Sequence, residues 1–168
     1  MADTSNRRHV FISHHHADDA SVQGLQDMLK RSGHDVRNSS IRKWKPENQE
    51  RWKSRTVKKE TIERLLRMKM KWAKTVVVLI GKHTHERPWV NWEIKEAHRL
   101  GKRIVGVYER GGTLADLPSN FNEYSDALVG WNSGSIMGAI DGECSPFENP
   151  DSSPRSPVAN PGEGRSVC

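Results

Sequence analysis

The chain has 168 residues, of which 34% are hydrophobic and 29% charged, and its formal net charge is +6. That composition suffices for one ordinary hydrophobic core, but no apolar run approaches the roughly 20 residues that span a bilayer. Residues 1–8 lack the apolar middle of a signal peptide, and the two cysteines, Cys144 and Cys168, predict no disulfide framework. We therefore expect a cytoplasmic protein with no membrane partner.

The elements predicted along the chain alternate between strand and helix. A helix whose Val22, Leu25 and Leu29 share one face follows the first strand. A basic helix near residues 55–72 precedes the third strand, and a helix that starts at Pro88 follows it. The predicted strands are short apolar runs at residues 9–13, 34–37, 76–80, 103–108 and 127–131.

This alternation predicts an α/β fold of three layers, in which a five-stranded parallel sheet lies between helices on both faces. The order expected for such a flavodoxin-like sheet is 2-1-3-4-5, with the crevice between the first and third strands. Residues 1–141 are expected to form this domain. Residues 142–168 are rich in Pro, Ser, Gly and Asn and predict a disordered C-terminal tail.

The helix from Pro88 carries a carboxylate near the carboxyl end of the third strand. Val90, Ile94 and Ala97 recur at helical spacing and are predicted to face the core. Glu93 lies on a neighbouring stripe rotated by about 100° from the buried one. The sequence therefore places its carboxylate at the margin of the predicted crevice, where ligands bind in open α/β sheets.

The net positive charge of the chain comes from one segment. Residues 42–74 contain thirteen Lys or Arg and four Asp or Glu, a net +9, so the rest of the chain sums to −3. The segment is either a solvated helix face over a core stripe, or a surface that attracts a polyanion such as a phosphate-bearing molecule or a nucleic acid. No nucleic-acid-binding motif accompanies it, so no specific nucleic acid is expected as a partner.

Five stretches together resemble one family. VFISHHHADD, NSSI, VVVLIG, THERPWVNWEI and GKRIVGVY, within roughly residues 8–131, are similar to the TIR-like domain of the Thoeris antiphage defence proteins, a branch of the TIR superfamily. The resemblance implies the TIR fold and an enzyme of the NAD glycohydrolase or ADP-ribosyl cyclase type, with Glu93 as the catalytic residue. NAD is then a substrate, and no cofactor is expected.

The resemblance also implies what surrounds this reaction. The ADP-ribose part of NAD would become a signalling nucleotide, cyclic if the acceptor is a hydroxyl of the same molecule, that activates an effector protein. Self-association or a phage-derived trigger would control the activity. Residues expected to bind the substrate flank the crevice or offer aromatic rings: Phe11, Ser13, His14, His15, Asn38, Ser39, Ser40, Thr84, Trp89 and Trp92.

Two alternatives remain open at this point. The same fold hosts catalytically silent nucleotide sensors and TIR-type assembly adaptors. The run of three histidines, residues 14–16, also invites a zinc hypothesis, together with His83 and His85. Neither cysteines nor a helical histidine pair supports it, and consecutive strand residues cannot all face one metal, so no metal site is expected.

Overall fold

The computed structural model of the chain describes residues 7–14, 19–38, 59–82, 84–143 and 146–154. The strands in chain order are β1 (Arg7–Ser13), β2 (Asp35–Asn38), β3 (Thr75–Ile80), β4 (Arg103–Tyr108) and β5 (Ala127–Val129). The helices are α1 (Asp19–Arg31), α2 (Lys59–Trp72), α3 (Pro88–Arg99), α4 (Phe121–Tyr124) and α5 (Ser133–Asp141).

The five strands form one parallel sheet in the order β2-β1-β3-β4-β5. Phe11 lies beside Val76 across the β1–β3 pair, and Val76 lies beside Ile104 across the β3–β4 pair. Every residue of β3 is buried, as expected for a central parallel strand covered on both faces. The predicted fold class and strand order are confirmed.

Helices cover the two faces of the sheet, and the alternation of side chains along each strand divides the core between them. On one face, α1 and α5 pack against a set that includes Val10, Ile12, Val77, Leu79 and Val105. On the other face, α2, α3 and α4 pack against a set that includes Phe11, Val76, Val78, Ile80 and Ile104. We call this second set the α2–α3 core, and it is the face on which the candidate site lies.

The boundaries of α3 follow from its sequence. Arg87 is extended and Pro88 occupies the first turn, where a missing N–H costs no helical hydrogen bond. At the other end, the N–H of Leu100 donates to the carbonyl of Glu96 at 2.9 Å. Gly101 then adopts a positive φ of 68°, a conformation that glycine allows without strain. The predicted start and end of this helix agree with the structure.

Two features differ from the sequence prediction, and a third is tested only in part. The basic helix was expected from near residue 55; the structure describes it over Lys59–Trp72, and residues 55–58 lie outside the described residues. The short helix α4 was not predicted. Residues 146–154, expected to belong to a disordered tail, run beside β5: Phe147 forms a parallel bridge with Leu128. The sequence of this segment has no apolar periodicity that would predict a strand or a helix, because only one residue of it, Phe147, pairs with β5.

In the part of the chain that the structure describes, no helix is both long enough and apolar enough to cross a membrane.

Candidate functional site

The candidate site lies where β1 and β3 end side by side. Ser13, the last residue of β1, pairs with Val78 in β3. The strand order reverses between β1 and β3, and ligands of open α/β sheets bind at the carboxyl edge beside such a reversal. β3 ends at Ile80 and α3 begins at Pro88. The amino end of α3 therefore lies at the same edge of the sheet.

Glu93 is buried in α3, with 4% of its surface exposed. The sequence predicted a position at the margin of the helix, and this is where the prediction was wrong. At about 100° per residue, Glu93 lies about 60° from Val90 and about 40° from Ala97, and both of those residues are buried. Glu93 therefore belongs to the buried stripe itself, where a carboxylate is costly unless it has partners or a function.

Ser13 is a second buried polar group on the same side of the sheet. Its exposure is 1%, and two residues before it Phe11 packs into the α2–α3 core. Side chains two apart in a strand share a face, so Ser13 and Glu93 lie on the same face. Within the described part of the chain, Ser13 Oγ has no hydrogen-bond partner, and an unmade hydrogen bond at a buried hydroxyl costs about 1–3 kcal/mol.

Trp89 and Trp92 form an edge-to-face pair on α3, with ring centroids 5.6 Å apart and planes at 75°. Arg67 of α2 lies over the Trp92 ring, with Cζ 5.3 Å from the centroid. This cation–π contact ties Trp92 to α2. Trp89 stands half-buried in the first turn of α3, one turn before Glu93.

Glu96 holds the arginine in that stack. Arg67 Nε donates to Glu96 Oε2 at 3.1 Å, and Arg99 Nε donates to the same oxygen at 3.0 Å. Burial opposes ionisation of Glu96, but the hydrogen bonds from Arg99 and Arg67 outweigh it and lower the pKa of this carboxyl. Glu96 is therefore an anion that fixes α2 against α3.

Three residues expected to bind substrate make contacts within the scaffold, and their contacts with substrate stay predictions. Phe11 is 1% exposed inside the α2–α3 core. Successive side chains of a strand point to opposite faces of the sheet, and that of Phe11 points to the face covered by α2 and α3. Thr84 is fully buried, where its Oγ1 accepts from the N–H of Gly81 at 2.8 Å and donates to the carbonyl of Leu79 at 3.2 Å. Trp92 is held by Arg67, as described above.

Asn38 and His14 lie at the strand ends, as predicted, and both contact the backbone of β1. The N–H of Ile12 donates to Asn38 Oδ1 at 3.2 Å, so this side chain extends the β1–β2 pairing by one hydrogen bond. Nδ1 of His14 lies 3.0 Å from the carbonyl oxygen of Ile12. His15, Ser39 and Ser40 lie outside the described residues, and their expected contacts with substrate remain predictions.

The family model of the Thoeris protein ThsB, TIR-like domain, matches residues 11–113. The chain belongs to this family. The match includes Ser13, Trp89 and Glu93, so the carboxyl edge described above lies within the part of the chain that defines the TIR-like domain. The predicted resemblance is confirmed.

Several solved structures are similar to this chain at low sequence identity. The solution structure of BlsM is 18% identical, with 83% of this chain and 93% of BlsM covered and a TM-score of 0.55. The CMP N-glycosidase BcmB of Clostridium botulinum is 14% identical, with 80% and 98% covered and a TM-score of 0.44. The TIR domains of the activated Roq1 resistosome, which directly recognises the pathogen effector XopQ, are 16% identical, with 70% and 64% covered and a TM-score of 0.41. No curated protein matches the chain by sequence.

Sequence reasoning missed a pair of groups on the turns after β3 and β4 of the TIR-like domain. His85 Nδ1 lies 3.8 Å from Asp116 Oδ1. Asp116 is buried, and its Oδ2 accepts from the N–H and Oγ1 of Thr113 at 2.8 and 3.1 Å. The sequence signal for this aspartate was the capping-box spacing of Thr113 and Asp116. That spacing predicts a fixed aspartate, but it does not predict that the turn which carries His85 is its neighbour.

Arg87 was also missed. It precedes Pro88 at the start of α3, and its Nε is buried without a hydrogen-bond partner in the described part of the chain. No motif signalled it, since a lone arginine before a proline predicts only a helix boundary.

Metal binding gains no support from the geometry. Across residues 7–14, 19–38, 59–82, 84–143 and 146–154, no three His, Cys, Asp or Glu side chains come close enough together to hold a metal ion. Of the histidines in the zinc hypothesis, His14 has its Nδ1 3.0 Å from the carbonyl oxygen of Ile12, and residues 15, 16 and 83 lie outside the described residues.

Proposed function

We propose that this TIR-like domain cleaves NAD at the bond between nicotinamide and ribose and converts the ADP-ribose part into a signalling nucleotide. The product is cyclic if a hydroxyl of the same molecule is the acceptor, and it activates a partner effector in antiphage defence. Membership of the Thoeris ThsB family supports this proposal. The observation that carries it is the burial of the Glu93 carboxylate at the carboxyl edge of the sheet.

A buried carboxylate suits the chemistry of this bond. When the bond breaks, its electron pair stays on the nicotinamide nitrogen, which leaves neutral, so no general acid has to protonate the leaving group. Positive charge develops on the ribose, and a carboxylate stabilises that charge far more strongly away from water than in it. Glu93, 4% exposed, supplies such an anion, or accepts hydrogen bonds from the ribose hydroxyls and holds them in register.

Two neighbouring groups complete the proposed site. The Oγ of Ser13 has no partner among the described residues and is available to donate to a ribose or amide oxygen of the substrate. The half-buried ring of Trp89 lies one turn before Glu93, and in this proposal it stacks on a base. In the second half of the reaction, a hydroxyl of water or of the nucleotide forms the new bond to the ribose carbon and loses its proton, which restores neutrality.

Charge also favours a phosphate-bearing substrate. The segment from residue 42 to 74 has a net charge of +9, while the rest of the chain sums to −3. NAD carries two phosphates, and a basic surface raises the local concentration of such an anion.

A catalytically silent nucleotide sensor or assembly adaptor is the second candidate, and one observation favours it. Phe11, Thr84 and Trp92, all expected to contact substrate, are engaged in the scaffold. The described residues therefore offer fewer free groups for an NAD molecule than the sequence predicts.

Nicotinamide release separates the two candidates. Purified full-length chain is incubated with NAD, alone and with extract from phage-infected cells, and free nicotinamide and the nucleotide product are measured by chromatography and mass spectrometry. The proposal predicts free nicotinamide in at least one condition. It should appear together with a product that has the mass of ADP-ribose, or that mass less one water if the product is cyclic. If neither condition gives nicotinamide while NAD still binds, the domain is a sensor.

A further inference from the structure

The free edge of β5 is covered by the chain itself. The N–H of Leu128 in β5 donates to the carbonyl of Pro146 at 2.9 Å, and the N–H of Glu148 donates back to the carbonyl of Leu128 at 2.8 Å. Phe147 between them pairs in parallel with Leu128. Residues 146–148 thus add an isolated parallel bridge to the edge of the five-stranded sheet, and main-chain bonds of this kind are independent of side-chain identity.

Glu148 gives this contact its specificity. Its Oε1 accepts from the N–H of Gly130 at 3.2 Å and its Oε2 accepts from Ser135 Oγ at 3.2 Å. Ser135 lies in the first turn of α5, whose N-cap is Asn132. The carboxylate is therefore held at the amino end of a nine-residue helix, where the helix dipole favours a negative charge.

Phe147 and Gly130 allow the segment to pack closely against the domain. The Phe147 ring packs against the α2–α3 core. A Cβ at Gly130 would lie 3.1 Å from the carbonyl oxygen of Pro150 and would overlap Ser152 Oγ. A side chain at this position would displace the Ser152 hydroxyl and press on the main chain of the segment, so glycine favours the close approach.

The two sides of this contact are unequal. Leu128 and Gly130, which receive the segment, are buried, whereas every described residue from 146 to 154 is half-buried or exposed. Detachment of the segment therefore breaks a few hydrogen bonds and one aromatic contact and leaves the two cores in place.

We propose that the β5 edge, Gly130 and the first turn of α5 form a binding site for an extended peptide in which an acidic residue directly follows an aromatic one. The chain's own segment, residues 146–154, occupies the site in cis, and a partner segment of the same chemistry competes for it. We call it the β5-edge site. This inference is independent of the proposed reaction with NAD.

A labelled peptide tests the site in the full-length chain. The probe is the synthetic peptide of residues 145–156, SPFENPDSSPRS, and binding is followed by fluorescence anisotropy. A full-length variant with Phe147→Ser and Glu148→Lys empties the site and should bind the probe at least about tenfold more tightly than the wild type, since the wild-type site is already filled. Adding Gly130→Val to that variant should abolish binding, and a probe carrying the same two changes as the variant should not bind.

If the emptied variant is folded by circular dichroism and does not bind the probe, the proposal is overturned. Hydrogen exchange in the wild-type chain gives a second measurement that does not depend on any variant. The amides of Leu128 and Glu148 should exchange through local opening, about 100-fold or more faster than the amides of β3. Exchange of Leu128 only at the rate of global unfolding would show that the segment never detaches, and would equally overturn the proposal.

Discussion

The guanidinium of Arg67 lies over the ring of Trp92, with Cζ 5.3 Å from the ring centroid. Arg67 belongs to the basic helix α2, and Trp92 belongs to α3, the helix that carries Glu93. The contact therefore joins the segment expected to attract phosphates to the helix expected to perform chemistry. Glu96 fixes both, because its carboxylate accepts hydrogen bonds from Arg67 and Arg99.

Removing the charge of Glu96 should destabilise the fold in a pH-dependent way. Glu96→Gln should lower the free energy of unfolding by about 1–3 kcal/mol at neutral pH, because two charge-assisted hydrogen bonds are weakened. The pKa of Glu96 is lower in the folded chain than its ordinary value of 4.5, so the stabilisation is present above that value and is lost as the pH falls below it towards the folded pKa. Urea unfolding of wild type and variant at several pH values measures this.

The difference in the free energy of unfolding between the wild type and Glu96→Gln should disappear as the pH is lowered. Glu60→Gln, an exposed position in the first turn of the same helix as Arg67, is the matched control and should change little. A gap that stays constant down to pH 3 would show that Glu96 is not the anion inferred here.

Glu93→Gln should abolish nicotinamide release and leave the chain folded. The change keeps the volume of the side chain and removes its charge, so the loss falls on transition-state stabilisation, where one electrostatic group is worth about 10²–10³-fold in rate. Nicotinamide release and circular dichroism are measured together. Glu123→Gln, on the exposed side of α4, should behave as wild type, and wild-type turnover by Glu93→Gln would make Glu93 structural.

Asn38→Ala should destabilise the sheet, whereas Asn38→Asp should not. Asn38 Oδ1 accepts from the N–H of Ile12 at 3.2 Å, and loss of such a bond costs about 1 kcal/mol, whereas aspartate keeps the acceptor. Thermal unfolding compares the three chains. Ser39→Ala and Ser40→Ala should instead alter activity or oligomer size, measured by nicotinamide release and light scattering. Equal unfolding midpoints for Ala and Asp at position 38 would contradict the structural role.

Ending the chain after residue 143 should lower its melting temperature by several degrees, contrary to the disordered tail that composition predicts. The shorter chain loses the hydrogen bonds to Leu128 and Gly130 and the packing of Phe147, and about 1 kcal/mol shifts the midpoint of a chain this long by about 2–4 °C. A chain that ends after residue 154 is the control and should melt as the full chain does. If the two shortened chains melt together, residues 146–154 contribute no stability.

Nucleic acid should bind weakly, without sequence preference, and less tightly as salt is raised. Trp72 is 72% exposed and Met68 is 50% exposed on α2, beside basic residues, but binding through charge alone rests on the release of counterions. Anisotropy titrations of two unrelated DNA sequences at low and physiological salt measure both properties. Tight and sequence-selective binding at physiological salt would move the function towards nucleic acid.

Sequence patterns predicted the parts of this molecule that depend on local chemistry. The alternation of strands with helices predicted a parallel sheet, and the strand order was expected because it is common in five-stranded sheets of this kind. Pro88 and Gly101 predicted where α3 begins and ends. The same reasoning placed Glu93 one stripe away from its true position, because a residue three after Val90 and four before Ala97 is adjacent to both.

What the sequence could not supply was pairing between distant elements. His85 and Asp116 meet only because the turns after β3 and β4 are neighbours. The carboxylate of Glu148 finds its partners at Gly130, just after β5, and at Ser135 in α5, and no periodic pattern encodes a contact made by one residue.

The hydroxyl of Thr84 has a consequence for how evolution can reshape this edge. Because it ties the turn to Gly81 and Leu79, the start of α3 is fixed relative to the end of β3 rather than left to a loose loop. The carboxylate of Glu93 is thus set in place by the strand, before any ligand arrives. Changes of specificity are then expected to accumulate in the connections after β1 and β2, where the chain can vary without moving that charge.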